Sequence, residues 1–308
     1  MARIIFLAPF AKSEISGGIK TVYRHAEMLA ELGFDASVHQ PEGPPAWFET
    51  RAKVLPTLAP EAGDVLVFPE TLNGPLGEWA QRPIPARKVL FCQNQYYMAL
   101  NPIPADRLAG LGFSHFAASS CAARDFMRSV LHIEGAALIP YSVDPAIFAA
   151  RPKAIQIALV PRKMPREASL IGHIFREKYP KLQHVPWQVI DNAPERAAAD
   201  ILGRSAILLS LSFLESFGLV PVEAMAAGCI IIGFDGYGGR EYASPENGFW
   251  FAPDQLEEVA DALATAITGL ESGDKKLEAM RNAGTATAAR YSMDNTRGAL
   301  REFYGRLT

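Results

Sequence analysis

The chain lacks several features that would assign it to particular protein classes. It has three cysteines in 308 residues, Cys92, Cys121 and Cys229, far apart and with no CxxC pair. That spacing excludes a thiolate zinc site or a disulfide framework and points to reduced, buried thiols. Positive charge is not in excess: the formal net charge is -3, whereas a dedicated nucleic-acid binder is usually basic. There is no Asp-x-Asp pair, and the six histidines show no metal-ligand spacing. No apolar run approaches the roughly 20 residues that cross a bilayer. The opening "MARIIFLAPF" is interrupted by Pro9 and followed by Lys12 and Glu14, so it reads as a first buried strand rather than a signal peptide. The expectation is a cytoplasmic protein. Lys20, Arg24 and His25 on an amphipathic first helix leave open a peripheral contact with anionic lipid at the inner membrane face.

What is present is the composition of a globular enzyme, 49% hydrophobic and 20% charged, with Gly and Pro spread along the chain. Short apolar runs alternate with amphipathic segments. Strands are predicted at 3–9, 34–39, 64–68, 88–92, 113–119 and 136–141, with helices over 17–33 and 121–131. The Pro-interrupted segment 140–153 marks a crossover. The pattern then restarts, with strands at 154–160, 187–191, 206–211 and 229–234. Helices are predicted near 166–179, 194–203, 221–227, 255–268, 274–290 and 293–306. Continuous apolar strands alternating with helices imply parallel sheets covered on both faces. The α/β class follows, as two doubly wound domains in tandem: residues 1–150 with a terminal helix over 292–308, and residues 151–291.

The stretch "LESFGLVPVEAMAAGC" (214–229) carries Glu215 and Glu223 in an otherwise apolar run with no basic neighbour. Uncompensated buried charge is costly. Glu215 is expected in the loop after a strand. Glu223 is expected in the first turn of a helix begun at Pro221, where negative charge is tolerated. Amides at Phe217, Gly218 and Leu219 offer an anion site. The acceptor-only carboxylates suit pairs of sugar hydroxyls.

These residues resemble the E-x7-E signature of GT-B glycosyltransferases of the family 4 type (group 1 glycosyltransferases). Further segments are similar in the same order: "SGGIKTVYRHAEML" with Gly17 and Gly18, "LIPYSVDPAIF" with Ser142 in place of the usual Gly, "GYGGREYASPENGFWF" with Gly238, Gly239 and Arg240, and the terminal "YSMDNTRGALREFYGRL". The resemblance implies two Rossmann-like domains facing an interdomain cleft. It also implies a metal-independent, retaining transfer from a nucleotide sugar to a carbohydrate or lipid-linked acceptor, with no cofactor and no nucleic acid. Glu223 would grip the ribose and Glu215 the donor hexose. Arg162, Lys163 and Arg166 would neutralise the diphosphate, in tighter spacing than the family's usual Arg and Lys. Phe217, Gly218, Leu219, Gly238 and Gly239 would border the donor, and Gly17 and Gly18 the diphosphate or acceptor. Where the family commonly has a His, "KVLFCQNQYYM" offers Gln93, Asn94 and Gln95, so Gln93 and Asn94 stand as the catalytic candidates beside Glu215. The alternative is a non-catalytic sugar-nucleotide-binding subunit of another transferase.

Overall fold

The computed structural model describes residues 2–308, which divide into two compact units, Met1–Ser142 with Met293–Thr308, and Val143–Ser292. The boundary therefore precedes residue 150. Residues 149–151 pack against the second unit: Arg151 N donates to Gly203 O at 3.1 Å, and a Cβ on Gly203 would come within 3.0 Å of Ala149 O and 3.1 Å of the Arg151 side chain.

The first unit is built on β1 (Arg3–Leu7), α1 (Gly17–Glu31), β2 (Asp35–His39), β3 (Lys53–Leu55), β4 (Val65–Pro69), α2 (Gly74–Gln81), β5 (Arg87–Cys92), α3 (Gln95–Ala99), β6 (Phe113–Ala118), α4 (Cys121–Ser129) and β7 (Ala137–Leu138). Its sheet runs β3-β2-β1-β4-β5-β6-β7, with every pairing parallel. The buried runs "IIFL", "VLVF" and "VLFC" explain the central strands, since a parallel sheet covered on both faces hides alternate side chains in both directions. On α1, Val22, Ala26 and Leu29 face this sheet, and Gly33, at φ 90°, ends the helical segment as only a glycine readily does. His25 lies on the same inward side and is 2% exposed. It cannot meet lipid, contrary to the reading from the helix's charge pattern.

The second unit contains β8 (Ala154–Leu159), α5 (Pro165–Lys178), β9 (Trp187–Val189), α6 (Glu195–Arg204), β10 (Ser205–Ser210), α7 (Leu219–Ala226), β11 (Ile230–Phe234), β12 (Gly248–Phe251), α8 (Leu256–Ser272) and α9 (Lys275–Ala289). Its all-parallel sheet runs β12-β11-β10-β8-β9. Counted from the unit's first strand this is the doubly wound order 2-1-3-4-5, whose strand order reverses between β8 and β10. Ligands of such sheets bind outside the carboxyl ends of the strands at that reversal.

The last helix, α10 (Met293–Gly305), returns to the first unit. Its Leu300 and Tyr304 join the core containing Val22 and Ala26 of α1, and Thr296 Oγ1 donates to Pro140 O at 2.9 Å.

Among the described residues no helix is long and apolar enough to cross a membrane. Of the three thiols, Cys92 and Cys229 are buried and Cys121 is half-buried. Burial pushes the Cys229 thiol up to about 11.

Candidate functional site

At the β8–β10 reversal the second unit has a pocket enclosing about 470 Å³, open mouth included. β8 leaves the sheet through Val160 into a short 3-10 turn, Pro161–Lys163, which sets Arg162 and Lys163 on one wall. Leu208 to Ser210 at the end of β10, Leu211 and Ser212 just beyond it, and Gly218 to Pro221 at the start of α7 complete the lining. Proline suits this first turn, where its missing N–H costs nothing. The helix start presents its positive dipole end to the cavity.

Glu215 also lines the pocket and meets Lys163, with Nζ–Oε1 2.6 Å. The cation that the local sequence withholds from Glu215 thus arrives from a different strand. Both side chains are about a quarter exposed, so the pair contributes on the order of 1 kcal/mol or less. Lys163 can therefore leave Glu215 for a stronger anion at small cost. Arg162 stands exposed beside it.

Several expected positions differ. α7 begins at Leu219, two residues before the expected start, so Glu223 sits in its second turn, is buried, and lies off the pocket wall. The first-turn dipole argument therefore does not apply to Glu223. Arg166 is exposed on α5 and does not line the pocket. The Phe217 side chain is 2% exposed and packs between Tyr242 and Tyr291, with ring centroids 5.2 and 4.8 Å away. It supports the helix start from behind: Tyr242 Oη donates to Gly218 O at 2.9 Å. Gly218 takes the left-handed conformation required there, at φ 82°.

Gly238 and Gly239 open a 3-10 turn and are also absent from the pocket lining. Their small size serves protein packing. A Cβ on Gly238 would fall 2.1 Å from the Ser216 carbonyl carbon, and one on Gly239 would meet Tyr242 Oη at 3.0 Å. The loop carrying them is pinned to the Glu215 loop by Glu215 N→Gly236 O (3.0 Å) and Gly238 N→Glu215 O (3.1 Å).

The first unit gathers a second cluster at the carboxyl end of its own sheet. Gln93, just beyond β5, donates through Nε2 to Gly18 O at 3.2 Å, which joins two of the predicted segments. Gly18 leaves only 3.3 Å between a built Cβ and that amide. Asn94 is the N-cap of α3: its Oδ1 accepts from Tyr96 N at 3.0 Å. Asn94 therefore acts as a cap. Gly17, the first residue of α1, accepts from Thr21 Oγ1 through its carbonyl at 2.8 Å.

Two features escaped the sequence reading. Ser210 and Ser212 line the pocket, and their signal was the appearance of hydroxyls at the end of a wholly buried strand. Glu70 follows β4 directly and is 5% exposed; its Oε2 accepts from Gln93 N at 3.1 Å. Burial raises its carboxyl to about 7, against the lowering effect of the amides it accepts from. A carboxylate just past a buried parallel strand lies at the ligand-facing edge of such a sheet, which was the available clue.

Residues 178–287 match the family model described as glycosyl transferases group 1. The second unit is a group 1 glycosyltransferase domain. An alpha-1,6-glucosyltransferase of Actinobacillus pleuropneumoniae serotype 7 is 24% identical over 275 residues, covering 86% of this chain and 83% of the relative. Sucrose-phosphate synthase from Thermosynechococcus elongatus superposes with a TM-score of 0.72 at 13% identity, covering 100% and 99% of the two chains. Anabaena HepE in complex with UDP-glucose gives 0.70 at 14% identity, covering 99% and 100%. These likenesses show the fold, GT-B with two Rossmann-like units, and the pocket at the β8–β10 reversal belongs to the unit holding the group 1 domain.

Proposed function

We propose that the protein is a retaining, metal-independent glycosyltransferase whose nucleotide-sugar donor binds in the β8–β10 pocket. The observation that carries this reading is the convergence there of Arg162, Lys163, Glu215 and the start of α7. Fixed cations and a helix start are what a leaving nucleoside diphosphate needs if no ion neutralises it. Arg162 and Lys163 are the side chains that would do that work here.

In this reading the diphosphate draws Lys163 away from Glu215 and joins Arg162 and the α7 amides. Glu215, released, accepts from hydroxyls of the donor hexose, and Glu223 on α7 holds the ribose. The anomeric C–O bond to phosphate breaks while the acceptor oxygen bonds the same face. The departing phosphate oxygen takes the acceptor's proton, so no histidine is required where Gln93 stands. In the first unit Gln93, held by Gly18 O and Glu70, remains the candidate amide. A UDP-hexose is the donor class, in keeping with a relative named a glucosyltransferase and a structural neighbour bound to UDP-glucose.

The test is slow hydrolysis of UDP-glucose without acceptor, followed by release of UDP. Wild type is expected to turn over and Glu215→Gln to lose at least tenfold in kcat with UDP affinity kept. Tight UDP-glucose binding with no turnover in wild type would instead establish the non-catalytic subunit.

A further inference from the structure

Beside the pocket, three large apolar side chains stand in solvent: Phe213, Leu214 and Tyr237, each about two-fifths exposed. None of them lines the donor pocket, although Ser212 and Glu215, which flank the first two in sequence, both do. The Phe213 and Tyr237 rings meet edge to face with centroids 6.0 Å apart. The Arg240 guanidinium lies 5.0 Å from the Tyr237 ring centre and pairs with Asp235 at 3.3 Å.

The backbone here is strained. Among the described residues four non-glycines have positive φ, and two of them are Leu214 (48°) and Tyr237 (70°). Tyr237, with ψ -52°, lies in the γ-turn region that bulky residues avoid. The two loops are tied by the hydrogen bonds on either side of Glu215. Each ring keeps about two-fifths of its surface exposed despite these contacts, and Tyr237 holds a turn that a glycine would relax. Strain held at exposed aromatics beside a reacting group marks a ligand site.

We propose that Phe213 and Tyr237 form a platform for a pyranose ring of the acceptor. A pyranose has an apolar face of C–H groups that suits aromatic rings, and rim hydroxyls that suit Arg240 donors and the Asp235 carboxylate. The platform's position outside the pocket wall, next to Glu215, gives this ring to the acceptor and not to the donor. It rests on the reading of the β8–β10 pocket as the donor site, and it makes the acceptor a carbohydrate instead of a bare alcohol.

Saturation-transfer NMR with methyl α-D-glucopyranoside, recorded with UDP and again with a C-glycosidic analogue of UDP-glucose that cannot transfer its sugar, tests this without turnover. Wild type is expected to transfer saturation from aromatic protons to the glucoside under both conditions. Phe213→Ala and Tyr237→Gly are expected to reduce that signal at least fivefold, Tyr237→Phe to keep it, and all three to leave the UDP signal unchanged. Tyr237→Gly should also hold or raise Tm, because it relaxes the turn, whereas a purely structural tyrosine would lower it. A glucoside signal absent from wild type, or equal in all variants, overturns the platform. Loss of the signal when that analogue replaces UDP assigns the ring to the donor's sugar and also overturns it. A glucoside signal without any UDP signal leaves the platform standing and removes the donor-site reading.

Discussion

Two buried titratable groups in the first unit oppose each other, and separating them gives a quantitative test. His25 sits between Phe6 and Phe91, with centroids 6.2 and 5.2 Å away, and its Nδ1 has no partner. Burial lowers it to about 3. Its folded value is depressed, so the unfolded chain takes up a proton first as pH falls below about 6.5, and stability is lost through acid. Between pH 7.5 and 5 that loss amounts to about 2 kcal/mol. Glu70 has the opposite sign. Its carboxyl is raised from 4.5 to about 7, so the folded state holds a proton that the unfolded state releases, and stability falls as pH rises through that window. Going from pH 7.5 to 5 therefore returns about 2 kcal/mol. The two effects nearly cancel in wild type. His25→Phe removes one side and is expected to gain about 2 kcal/mol on moving from pH 7.5 to 5, relative to wild type. Glu70→Gln, which can still accept from Gln93 N, is expected to lose a similar amount over the same interval. The assay is the opening free energy of β1 and β4 amides by hydrogen exchange at the two pH values. Three pH profiles that run parallel would refute the assignment of both groups.

Two further substitutions test the frame around the sites. Lys88 is 4% exposed and its Nζ donates to the carbonyls of Ala80 (2.7 Å), Arg82 (2.9 Å) and Leu111 (2.8 Å). Lys88→Met strands those acceptors and is expected to cost about 3 kcal/mol in urea unfolding; a change within error would mean the ammonium is not holding α2 to the sheet. Gly238→Ala forces a Cβ to 2.1 Å from the Ser216 carbonyl carbon and 2.5 Å from Phe217 N, both backbone. It is expected to cost about 3 kcal/mol or more and to weaken UDP binding with it, since the Glu215 loop must shift. An unchanged Tm would refute that packing.

The architecture was largely legible because buried parallel strands announce themselves as apolar runs. β1, β4, β5, β8, β10 and β11 all fall on such runs, and Gly33 marks the end of the first helical segment. The short elements escaped for local reasons. β3 has three residues, α2 contains two glycines and a proline, and β12, "GFWF", looks like a turn followed by aromatics. In the site, the acid pair in 214–229 was conspicuous because charge in an apolar run demands a partner. The partner itself, Lys163, was invisible as such, because it reaches Glu215 from across the sheet reversal. Gly238 and Gly239 also have a packing reason that the sequence does not display, because Ser216 and Tyr242 crowd any Cβ there. The cap that Asn94 gives α3 and the packing of the Phe217 ring against Tyr242 and Tyr291 are likewise visible only in three dimensions. Periodicity reports burial along one element, whereas the site is made by loops from several.

The proposed transfer requires the β8–β10 pocket to take a nucleoside diphosphate on Arg162, Lys163 and the start of α7. Calorimetric titration of UDP into wild type, Arg162→Ala and Lys163→Ala tests it most directly. Saturable binding to wild type is expected, weakened at least tenfold in each variant, an effect of about 1.4 kcal/mol or more. No UDP binding to wild type, or equal affinity in all three, would contradict it.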